Sequence, residues 1–396
     1  MATDFYYDIV IIGAGMVGAS LAASLKDEKI NILLIDKILP TAADFATPEP
    51  QARVSAINLG AIRWLKQQGV WQQLNATRIQ EYNQLKGFEG SGASLLFKAS
   101  DINETKLGAF IENNHLQLAA LKACTCDIEL SQQIQIVKQD DNWQLTLDNK
   151  TVITPFVIGA DGSRSQVANQ LNFTSTRWQY RQACLSITVK MAAQAHSEQF
   201  NQTWQEFRPE GPIAFLPLYD HFANLIIYDT PEQIAHYKTL SHTQLKTVIT
   251  PLFTHLNADF TIIQAASFPL TRKTIHTPAK SGALLVGDAA HSIHPLAGQG
   301  VNLGIRDIAA ASQFIKSCIA NNHTLTAENT WDQYLKDRQQ DVWLTSTSMD
   351  LTYKLFSNNN PLLKTVRRLT LNNINKITPI KQTALKYALG LNNTCV

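Results

Sequence analysis

Short apolar runs alternate with helix-like segments at the start of the chain. The run from Asp8 to Ile12 is apolar after its first residue, as expected for a parallel strand buried on both faces. Residues 19–25 then place apolar side chains at helical spacing. The segment "INILLIDK" (30–37) predicts a second buried strand, which ends at Asp36. The pattern therefore predicts a doubly wound α/β unit.

A glycine-rich turn, "GAGMVG", joins the first strand to the first helix. Gly13 allows a tight turn, Gly15 lets the backbone approach a pyrophosphate, and Gly18 lets the helix pack closely on the strand. Asp36 follows about 20 residues later, where an acid can accept hydrogen bonds from both hydroxyls of an adenosine ribose. The spacing predicts dinucleotide binding; the alternative is a tight turn in a parallel sheet without a ligand.

Two further segments repeat the order of strand, glycine-rich turn and helix. In "FVIGADGSRSQVANQL" (156–171), Asp161 and Gly162 form the turn, and Asp161 either caps the helix or faces a cofactor. In "SGALLVGDAAHSIHPLAGQGVNLGIRD" (281–307), Asp288 follows the strand. Three such turns at one end of a sheet could hold one elongated cofactor. Asp288 would then meet a polyol hydroxyl, and residues 295–302 would offer backbone N–H groups to a ring carbonyl.

The third segment also contains His291 and His294, which raises the alternative of a metal site. A metal would need further ligands, and the surrounding glycines and prolines suit contact with a flat cofactor better. We therefore predict no metal here. His291 is expected to orient the loop after Asp288. His294 either touches substrate or is a partly buried histidine with its hydrogen bonds satisfied.

The middle and the end of the chain follow other patterns. The segments "CLSITVKM", "TWQEF", "IAFLPLY" and "FANLIIYD" predict an antiparallel sheet over 181–270, which residues 85–99 could join. Residues 303–340 are helical in pattern, as are 341–391 apart from breaks at "SNNNP" and "ITPIK". The expected units are a discontinuous cofactor domain (1–80, 100–180 and 271–345), a substrate-binding sheet domain (81–99 and 181–270) and a helical basic region (346–396).

Composition is typical of a globular protein: 45% of residues are hydrophobic, 17% are charged and the net charge is +2, which does not indicate nucleic-acid binding. The five cysteines are sparse, so we expect free thiols in a reducing compartment, including the pair Cys124 and Cys126. No apolar run reaches the roughly 20 residues of a membrane span. Because the N-terminus leads directly into a strand, we expect a cytoplasmic protein, or one peripheral to the inner face of a membrane.

The charge is unevenly distributed. Residues 1–350 contain 27 basic and 32 acidic side chains, whereas residues 351–396 contain seven basic side chains and no acid. Apolar residues from Leu351 to Leu369 lie between these charges at spacings that a helix could place on one side. A basic amphipathic helix suits an anionic lipid surface or an acidic partner. The alternative is an ordinary C-terminal helical cap.

The three glycine motifs together resemble the FAD fingerprints of flavoprotein monooxygenases of the aromatic hydroxylase type. Four other segments are similar to the ubiquinone-biosynthesis hydroxylase branch of that family: "QARVSAI", "FIENNHLQLAAL", "WQEFRPEGPIAFLPL" and "LFSNNNPLLKTVRRLTL". The resemblance covers nearly the whole chain. It implies an α/β fold in which a Rossmann-like FAD-binding domain carries an antiparallel-sheet substrate domain and a helical C-terminal region.

The resemblance also implies roles for individual residues. Asp36 would bind the adenosine ribose; the family usually has Glu there, so the shorter Asp implies a longer or water-bridged contact. Arg53 would lie near the pyrophosphate and the path of the reductant, and His294 and Pro295 would lie at the flavin and substrate. The other cofactor-binding residues would be Gly13, Gly15, Gly18, Asp161, Gly162, Asp288, Gly298, Gln299, Gly300, Val301 and Asn302. The wall of the substrate pocket would be Phe215, Leu216, Pro217 and Leu218.

The implied activity is hydroxylation of the aromatic ring of a prenylated phenol or quinol in ubiquinone biosynthesis, with NADH or NADPH and O₂, through a flavin C4a-hydroperoxide. Three alternatives stay open at this point. Two act on an isoprenoid chain with the same fold, as a reductase or as an epoxidase. The third is a flavin-stabilised scaffold that holds other enzymes of the biosynthetic pathway together.

Overall fold

The computed structural model describes residues 5–90, 94–148, 150–192, 197–256, 258–293, 298–327, 329–356 and 378–391. Within them the strands are β1 (Phe5–Tyr6), β2 (Ile9–Ile12), β3 (Ile32–Asp36), β4 (Val54–Asn58), β5 (Gln80–Tyr82), β6 (Gln84–Phe88), β7 (Ser94–Lys98), β8 (Gly108–Glu112), β9 (Asp127–Leu130), β10 (Gln135–Gln139), β11 (Asn142–Thr146), β12 (Thr151–Thr154), β13 (Phe156–Gly159), β14 (Ser175–Met191), β15 (Gln202–Glu206), β16 (Ile213–Pro217), β17 (Phe222–Asp229), β18 (Phe260–Ile275), β19 (Ala279–Lys280), β20 (Ala283–Leu285) and β21 (His291–Ser292). The α-helices are α1 (Met16–Ser24), α2 (Leu59–Gln67), α3 (Asn113–Ala123), α4 (Gln166–Gln170), α5 (Pro231–Thr239), α6 (His242–Ile249), α7 (Gln299–Ala320), α8 (Asp332–Phe356) and α9 (Thr378–Ala388).

A six-stranded sheet in the order β19-β20-β13-β2-β3-β9 forms the centre of the cofactor domain. Its pairs are parallel from β9 to β20, and only the edge strand β19 is antiparallel. β2 and β13 are buried along their whole length, which explains their unbroken apolar runs. Helices α1, α3 and α7 contribute to one adjoining apolar core, and α4 contributes to the other. The predicted doubly wound α/β unit is confirmed.

A larger sheet has the order β21-β18-β14-β17-β16-β15-β6-β7, and helices α5 and α6 contribute to the apolar core on one of its faces. The predicted antiparallel sheet is present, and residues 85–99 join it as parts of β6 and β7. One pair differs from the prediction, because β15 and β6 are parallel. These two strands are far apart in the chain, so no hairpin constrains their direction. Two smaller sheets, β1-β12-β11-β10 and β4-β8-β5, complete the fold.

The sequence pattern missed several elements beside the large sheet. β18 was not predicted as one long strand, and α5 and α6 were not predicted at all. Helix α5 buries only two of its side chains, Ile234 and Tyr237, so its helical periodicity is weak. β14 begins at Ser175 and β18 ends at Ile275, so each crosses a predicted domain boundary. The division into domains stays a prediction.

The region 303–340, which is helical in pattern, contains two helices, because α7 ends at Ala320 and α8 begins at Asp332. Helix α9 begins within "ITPIK", with Pro379 in its first turn, a position that tolerates proline. The break at "SNNNP" and most of the basic tail lie outside the described residues. No helix among the residues in the structure is both long and apolar enough to cross a membrane.

Candidate active site

The three glycine-rich turns lie side by side at one edge of the parallel sheet. They follow β2, β13 and β20, which are adjacent and parallel. β3, whose last residue is Asp36, pairs with β2 on the other side. Open α/β sheets bind ligands at the carboxyl ends of their strands. Motifs that are far apart in the sequence are therefore brought to one place.

Asp36 is the last residue of β3, and its side chain also holds the first turn in place by a hydrogen bond. Its Oδ2 accepts a hydrogen bond from Ala14 N–H at 2.7 Å, and its Oδ1 accepts one from Lys37 N–H at 2.6 Å. Gly13, at φ +104°, donates its N–H to the Ile35 carbonyl at 2.7 Å. Each carboxylate oxygen can accept a further hydrogen bond, as the predicted contact with a ribose hydroxyl requires.

The packing of the protein requires glycine at position 18 but not at position 15. A Cβ on Gly18 would lie 1.9 Å from the Gly13 carbonyl oxygen, so only glycine fits there. No atom lies within 4 Å of a Cβ on Gly15, and its φ of −64° is open to any residue. Open space at Gly15 suits a ligand that approaches the backbone. Helix α1 starts here without a side-chain cap or an acid in its first turn, which leaves its N–H groups for an anion.

Asp161 in the second turn both caps a helix and presents a free oxygen. Its Oδ2 accepts hydrogen bonds from Gln166 N–H at 2.6 Å and Val167 N–H at 3.2 Å, at the start of α4. Its Oδ1 is buried and has no hydrogen-bond partner among the described residues. Gly162, at φ +79°, has open space where a Cβ would be. Oδ2 therefore serves as the cap of α4, and Oδ1 can accept a hydrogen bond from a ligand.

Asp307 holds the third turn in place from within helix α7. Its Oδ2 accepts a hydrogen bond from Gly287 N–H at 2.9 Å and lies 2.6 Å from His291 Nε2. Its Oδ1 accepts one from Arg338 Nε at 2.9 Å. Burial would raise the pKa of Asp307, but His291 and Arg338 outweigh burial and hold the pKa far below its usual range. His291 thus orients this loop, as expected, and sequence analysis missed its partner Asp307.

Asp288 is open to solvent beside the first turn of α7. Its Oδ1 would lie 4.0 Å from a Cβ on Gly300. Although the residue as a whole is exposed, the protein packed around its carboxylate desolvates that group and raises the pKa of Asp288. The charge of His291 lowers this pKa, Asp307 raises it, and Lys273 lowers it. A carboxylate so placed can accept a hydrogen bond from a hydroxyl of a ligand.

Lys273 contacts the third turn and was missed by sequence analysis. It is buried, and its Nζ donates to the Ala289 carbonyl at 3.1 Å. Burial lowers the pKa of Lys273, and Arg177 lowers it further, whereas the charges of Asp161 and Asp288 raise it. Lys273 is therefore within electrostatic reach of both acids. It comes from β18 of the large sheet, so only the pairing of β18 with β21 could have revealed it.

The side chain of Asn302 is used within the protein. Its Nδ2 donates to the carbonyls of Gly298 at 3.0 Å and Ala56 at 2.8 Å, and its Oδ1 accepts from Asn58 N–H at 2.9 Å. Gly298 adopts φ +63° and leads into α7 without a side-chain cap. Gln299, Gly300 and Val301 are half-buried in the first turn of α7. Contact between this loop and a cofactor would therefore be made by backbone rather than by the Asn302 amide.

Arg53 lies at the edge of the large sheet, where its guanidinium is 4.8 Å from the centre of the Phe268 ring. The segment before it is held by a buried ion pair, in which Arg78 donates to Glu112 through Nε and Nη2 at 2.8 Å. Glu112 Oε1 also accepts from Gln51 N–H at 2.8 Å. The segments "QARVSAI" and "FIENNHLQLAAL" are thus in direct contact, and β4 and β8, which they contain, pair as antiparallel strands.

The predicted wall residues lie on two faces of the large sheet. Phe215 is packed in the core under α5 and α6, where it stacks on Trp204. Leu216 points to the other face and joins the apolar cluster that contains Val54 and Ala56. Leu218 is buried in the same cluster, and Pro217 is buried at the end of β16. Leu216 and Leu218 therefore share a cluster with residues of β4, whereas Phe215 does not. His294 and Pro295 lie outside the described residues.

The groups at the three turns suit FAD better than a metal ion. No group of three or more His, Cys, Asp or Glu side chains with metal-binding geometry exists in the described part of the chain. The four described cysteines, including Cys124 and Cys126, are free thiols. By contrast, the uncapped start of α1, the open space at Gly15 and the unpartnered Asp161 Oδ1 are what a pyrophosphate and polyol hydroxyls would satisfy.

Comparison with known proteins agrees with this geometry. Residues 6–346 match the FAD binding domain family. The chain is 36% identical over 390 residues to the 3-demethoxyubiquinol 3-hydroxylase of Escherichia coli strain K12, covering 97% of this chain and 98% of that protein. It is 25% identical over 449 residues to the human mitochondrial ubiquinone biosynthesis monooxygenase COQ6, covering 98% of this chain and 92% of that protein.

Solved structures share the fold at low sequence identity. The p-nitrophenol 4-monooxygenase of Pseudomonas putida superposes with a TM-score of 0.80 at 15% identity and full coverage of both chains. The anhydrotetracycline hydroxylase of Streptomyces rimosus gives a TM-score of 0.72 at 16% identity, covering 98% of this chain and 77% of the other. These similarities support the aromatic-hydroxylase-like fold.

Proposed function

This chain belongs to the FAD binding domain family and, within it, to the ubiquinone-biosynthesis hydroxylases, and from this premise we propose which reaction it performs and where. The protein is an FAD-dependent monooxygenase. We propose that it hydroxylates the ring of a polyprenylated phenol or quinol, with NADH or NADPH as the reductant. The observation that carries the proposal is the convergence of three glycine-rich turns at one sheet edge, next to a largely apolar sheet face.

The residues of the chain have separable tasks in this proposal. The N–H groups at the start of α1 bind the pyrophosphate, Asp36 binds the ribose, and Asp288 binds a polyol hydroxyl. When bound, FAD supplies the redox chemistry that couples oxidation of NADH or NADPH to insertion of one oxygen atom of O₂. Arg53, which is exposed beside Phe268, would meet the negative charge of the reductant.

The face of the large sheet that includes Leu216 excludes water from the reacting ring. Apolar side chains on this face include Ala214, Leu216 and Ile226, beside the polar side chains of Ser186, Thr188 and Asn224. A dry site suits oxygen transfer, because water promotes side reactions of reactive oxygen species. The same apolar face accommodates a prenyl group, and each buried CH₂ adds about 0.8 kcal/mol of binding. Affinity should therefore rise with prenyl length up to the length that the site can bury.

A demethoxylated ubiquinol with a short prenyl chain is the first substrate to test, because the relative from Escherichia coli is named for hydroxylation of such a compound. The enzyme is incubated with this quinol, NADH or NADPH and ¹⁸O₂, and the products are identified by mass spectrometry. The proposal expects one labelled hydroxyl on the ring. A preference for a small charged phenol such as 4-hydroxybenzoate would contradict it.

The same experiment separates the alternatives. A reductase of prenyl double bonds would form product without O₂. An epoxidase would place the label in the prenyl chain. A scaffold would retain FAD and consume no O₂ with any ring substrate. Each outcome differs from a labelled ring hydroxyl, so one product analysis decides among all four functions.

We also propose that the basic C-terminal region docks the enzyme at a membrane or at another protein of the pathway. The lipid-soluble substrate makes such a location useful, because the site would then lie close to the bilayer that holds the quinol. Each basic side chain near an anionic lipid surface contributes about 1 kcal/mol. In the described part of this region, Leu351 is exposed, whereas Lys381 pairs with Asp101 at 2.7 Å. Docking would therefore depend on the basic residues of this region other than Lys381. The same proposal implies a cytoplasmic protein that is peripheral to the membrane when docked.

A further inference from the structure

Two exposed tryptophans lie on β14 and α8. The chain has seven tryptophans, all within the described residues, and five of them are buried or half-buried. The other two, Trp178 on β14 and Trp343 on α8, are 50% and 66% exposed. Large apolar side chains that remain in contact with water mark a site of interaction when they form one patch. Contacts between β14, β18 and α8 bring these two together.

Trp178 lies beside the C-terminal half of α8. Its ring stacks on the ring of Tyr180, with centroids 5.8 Å apart and an angle of 20° between the ring planes. The Tyr180 hydroxyl donates a hydrogen bond to Asp350 Oδ1 of α8 at 2.7 Å. Trp178 is also directly opposite Arg272 of β18, and Arg272 forms an ion pair with Asp350. Because directly opposite side chains share a face of the sheet, Trp178 and Arg272 both lie on the face that meets α8.

Trp343 reaches the same place from α8. Trp343 and Arg272 line one cavity of about 170 Å³. Trp343 precedes Asp350 by about two helical turns, so the two side chains are on the same side of α8. The next positions, Leu344 and Leu351, have the same spacing and are 44% and 56% exposed. Four exposed apolar side chains therefore lie beside the ion pair. We call them the tryptophan surface: Trp178, Trp343, Leu344 and Leu351.

The tryptophan surface adjoins the third glycine-rich turn. Lys273, the residue after Arg272, donates from Nζ to the Ala289 carbonyl of that turn at 3.1 Å. On α8, Arg338 donates to Asp307, the carboxylate that holds the same turn. A partner that contacts the tryptophan surface therefore lies close to the candidate cofactor site.

The charges near this surface favour a lipid bilayer as the partner. Arg272 neutralises Asp350, and the region 351–396, in which α8 ends, contains seven basic side chains and no acid. An anionic bilayer is complementary to such a region. A second copy of the chain would instead bring an identical basic region against it. Tryptophan also prefers the boundary between lipid and water, because its ring is apolar and its N–H is polar.

We propose that the tryptophan surface is the membrane-contacting surface of the protein, where Trp178 and Trp343 insert their rings at the headgroup level of an anionic bilayer. The basic region supplies attraction at long range, and the two rings supply contact with the lipid. Insertion fixes which side of the enzyme meets the bilayer, and that side carries the third glycine-rich turn. This inference rests on the proposed function for its purpose, which is to take a lipid-soluble substrate from the bilayer.

The first test measures binding of the FAD-loaded enzyme to vesicles that contain anionic lipid, at low salt. A double variant, Trp178→Ser with Trp343→Ser, should bind at least tenfold more weakly in co-sedimentation. The matched control is Ile38→Ser with Val248→Ser, because Ile38 follows β3, Val248 lies on α6, and they are 76% and 41% exposed. This control should bind as wild type does. Both double variants should keep a melting temperature and flavin content close to those of wild type, because all four side chains are exposed.

A second measurement reports insertion itself. Lipids brominated close to the headgroup quench tryptophan fluorescence on contact, so bound wild type should be quenched. Trp178→Phe with Trp343→Phe keeps two apolar rings and should still bind, but its fluorescence should not be quenched. Wild-type quenching in the Phe variant, or wild-type binding by the Ser variant, would overturn the proposal. If the Ser variant in addition formed smaller oligomers than wild type in sedimentation velocity, the surface would belong to an interface between copies of the chain.

Failure of the proposed function gives a different result. An enzyme that binds vesicles and is quenched, but forms no hydroxylated ring, contradicts the function and retains the membrane surface. An enzyme that hydroxylates a short-chain quinol in solution, but is not quenched by vesicles, contradicts only the surface. With both proposals correct, the Ser variant should keep wild-type activity on the short-chain quinol. It should lose at least tenfold in kcat/KM for a long-chain quinol supplied in vesicles.

Discussion

His291 Nε2 lies 2.6 Å from Asp307 Oδ2, and this buried contact ties the third glycine-rich turn to the helix that follows it. The same carboxylate also binds Arg338, whose Nη1 donates to Asp341 at 2.6 Å. Asp341 in turn accepts a hydrogen bond from the Tyr387 hydroxyl at 2.9 Å. A chain of buried and partly buried polar contacts therefore runs from the candidate cofactor site through α8 to α9.

Replacing Asp307 with Asn should reduce the amount by which the free energy of unfolding falls at acidic pH. The folded-state pKa of Asp307 is far below its unfolded value of about 3.9, so its carboxylate stabilises the protein above that pH. This contribution is lost as the pH falls from about 4 through the folded pKa. Urea unfolding at pH 5 and pH 3 should show a smaller loss for Asp307→Asn than for wild type. Equal losses would mean that the buried carboxylate does not titrate with unfolding.

Gly15→Ala should weaken FAD binding without harming the fold. A Cβ at this position meets no protein atom, and Gly→Ala at a compatible φ adds about 0.4–1 kcal/mol of stability. The FAD dissociation constant should rise at least tenfold, which is about 1.4 kcal/mol. Gly18→Ala is the control, because its Cβ would overlap the Gly13 carbonyl and destabilise the flavin-free protein as well. Wild-type FAD affinity in Gly15→Ala would place the pyrophosphate elsewhere.

Asp288→Ala should lose FAD or bind it weakly. The loss of a charged acceptor for a buried hydroxyl is worth roughly 1.5–3 kcal/mol, so the dissociation constant should rise about 10- to 150-fold. Flavin released from the denatured protein measures what each variant retains. Asp27→Ala, an exposed acid away from the turns, serves as the control. Full flavin content in Asp288→Ala would contradict a role for this carboxylate.

Glu112→Gln should destabilise the protein by about 3–5 kcal/mol, because Arg78 would remain as a buried charge without its partner. Glu104→Gln is the matched control, since Glu104 pairs with Arg63 at the surface, where a pair is worth about 0–1 kcal/mol. Chemical denaturation of both variants tests the difference. Similar small effects would show that the ion pair does not hold the segment before Arg53.

A variant with Lys364, Arg367 and Arg368 changed to Gln should lose binding to anionic vesicles. Wild type should co-sediment with vesicles that contain anionic lipid at low salt and dissociate at high salt, because exposed charges are screened. Neutral vesicles should bind neither protein. A control variant with Lys29, Lys37 and Lys66 changed to Gln removes the same charge from the cofactor domain. Equal, salt-independent behaviour of all three proteins would leave the C-terminal region only a structural role.

Much of the cofactor domain could be predicted from the sequence alone. β2, β13 and Gly13 depend on local rules: strands buried on both faces are continuously apolar, and a tight turn at positive φ requires glycine. The three motifs share the order of strand, turn and helix, and parallel strands bring their carboxyl ends to one edge. For these reasons the fold class and a site for an elongated dinucleotide cofactor followed from residues that are close together in the chain, and the family resemblance identified that cofactor as FAD.

The tertiary structure alone decided which distant residues support and complete the site. Asp307, Arg338, Glu112 and Lys273 are single charged residues in the sequence, and a charge pattern does not indicate which buried partner neutralises each one. The two faces of β16 separate Phe215 from Leu216, a difference that depends on which side the helices cover. The position of Lys273 beside Ser292 depends in the same way on strand register. Register is set by the packing of whole sheets, so no local pattern in the sequence contains it.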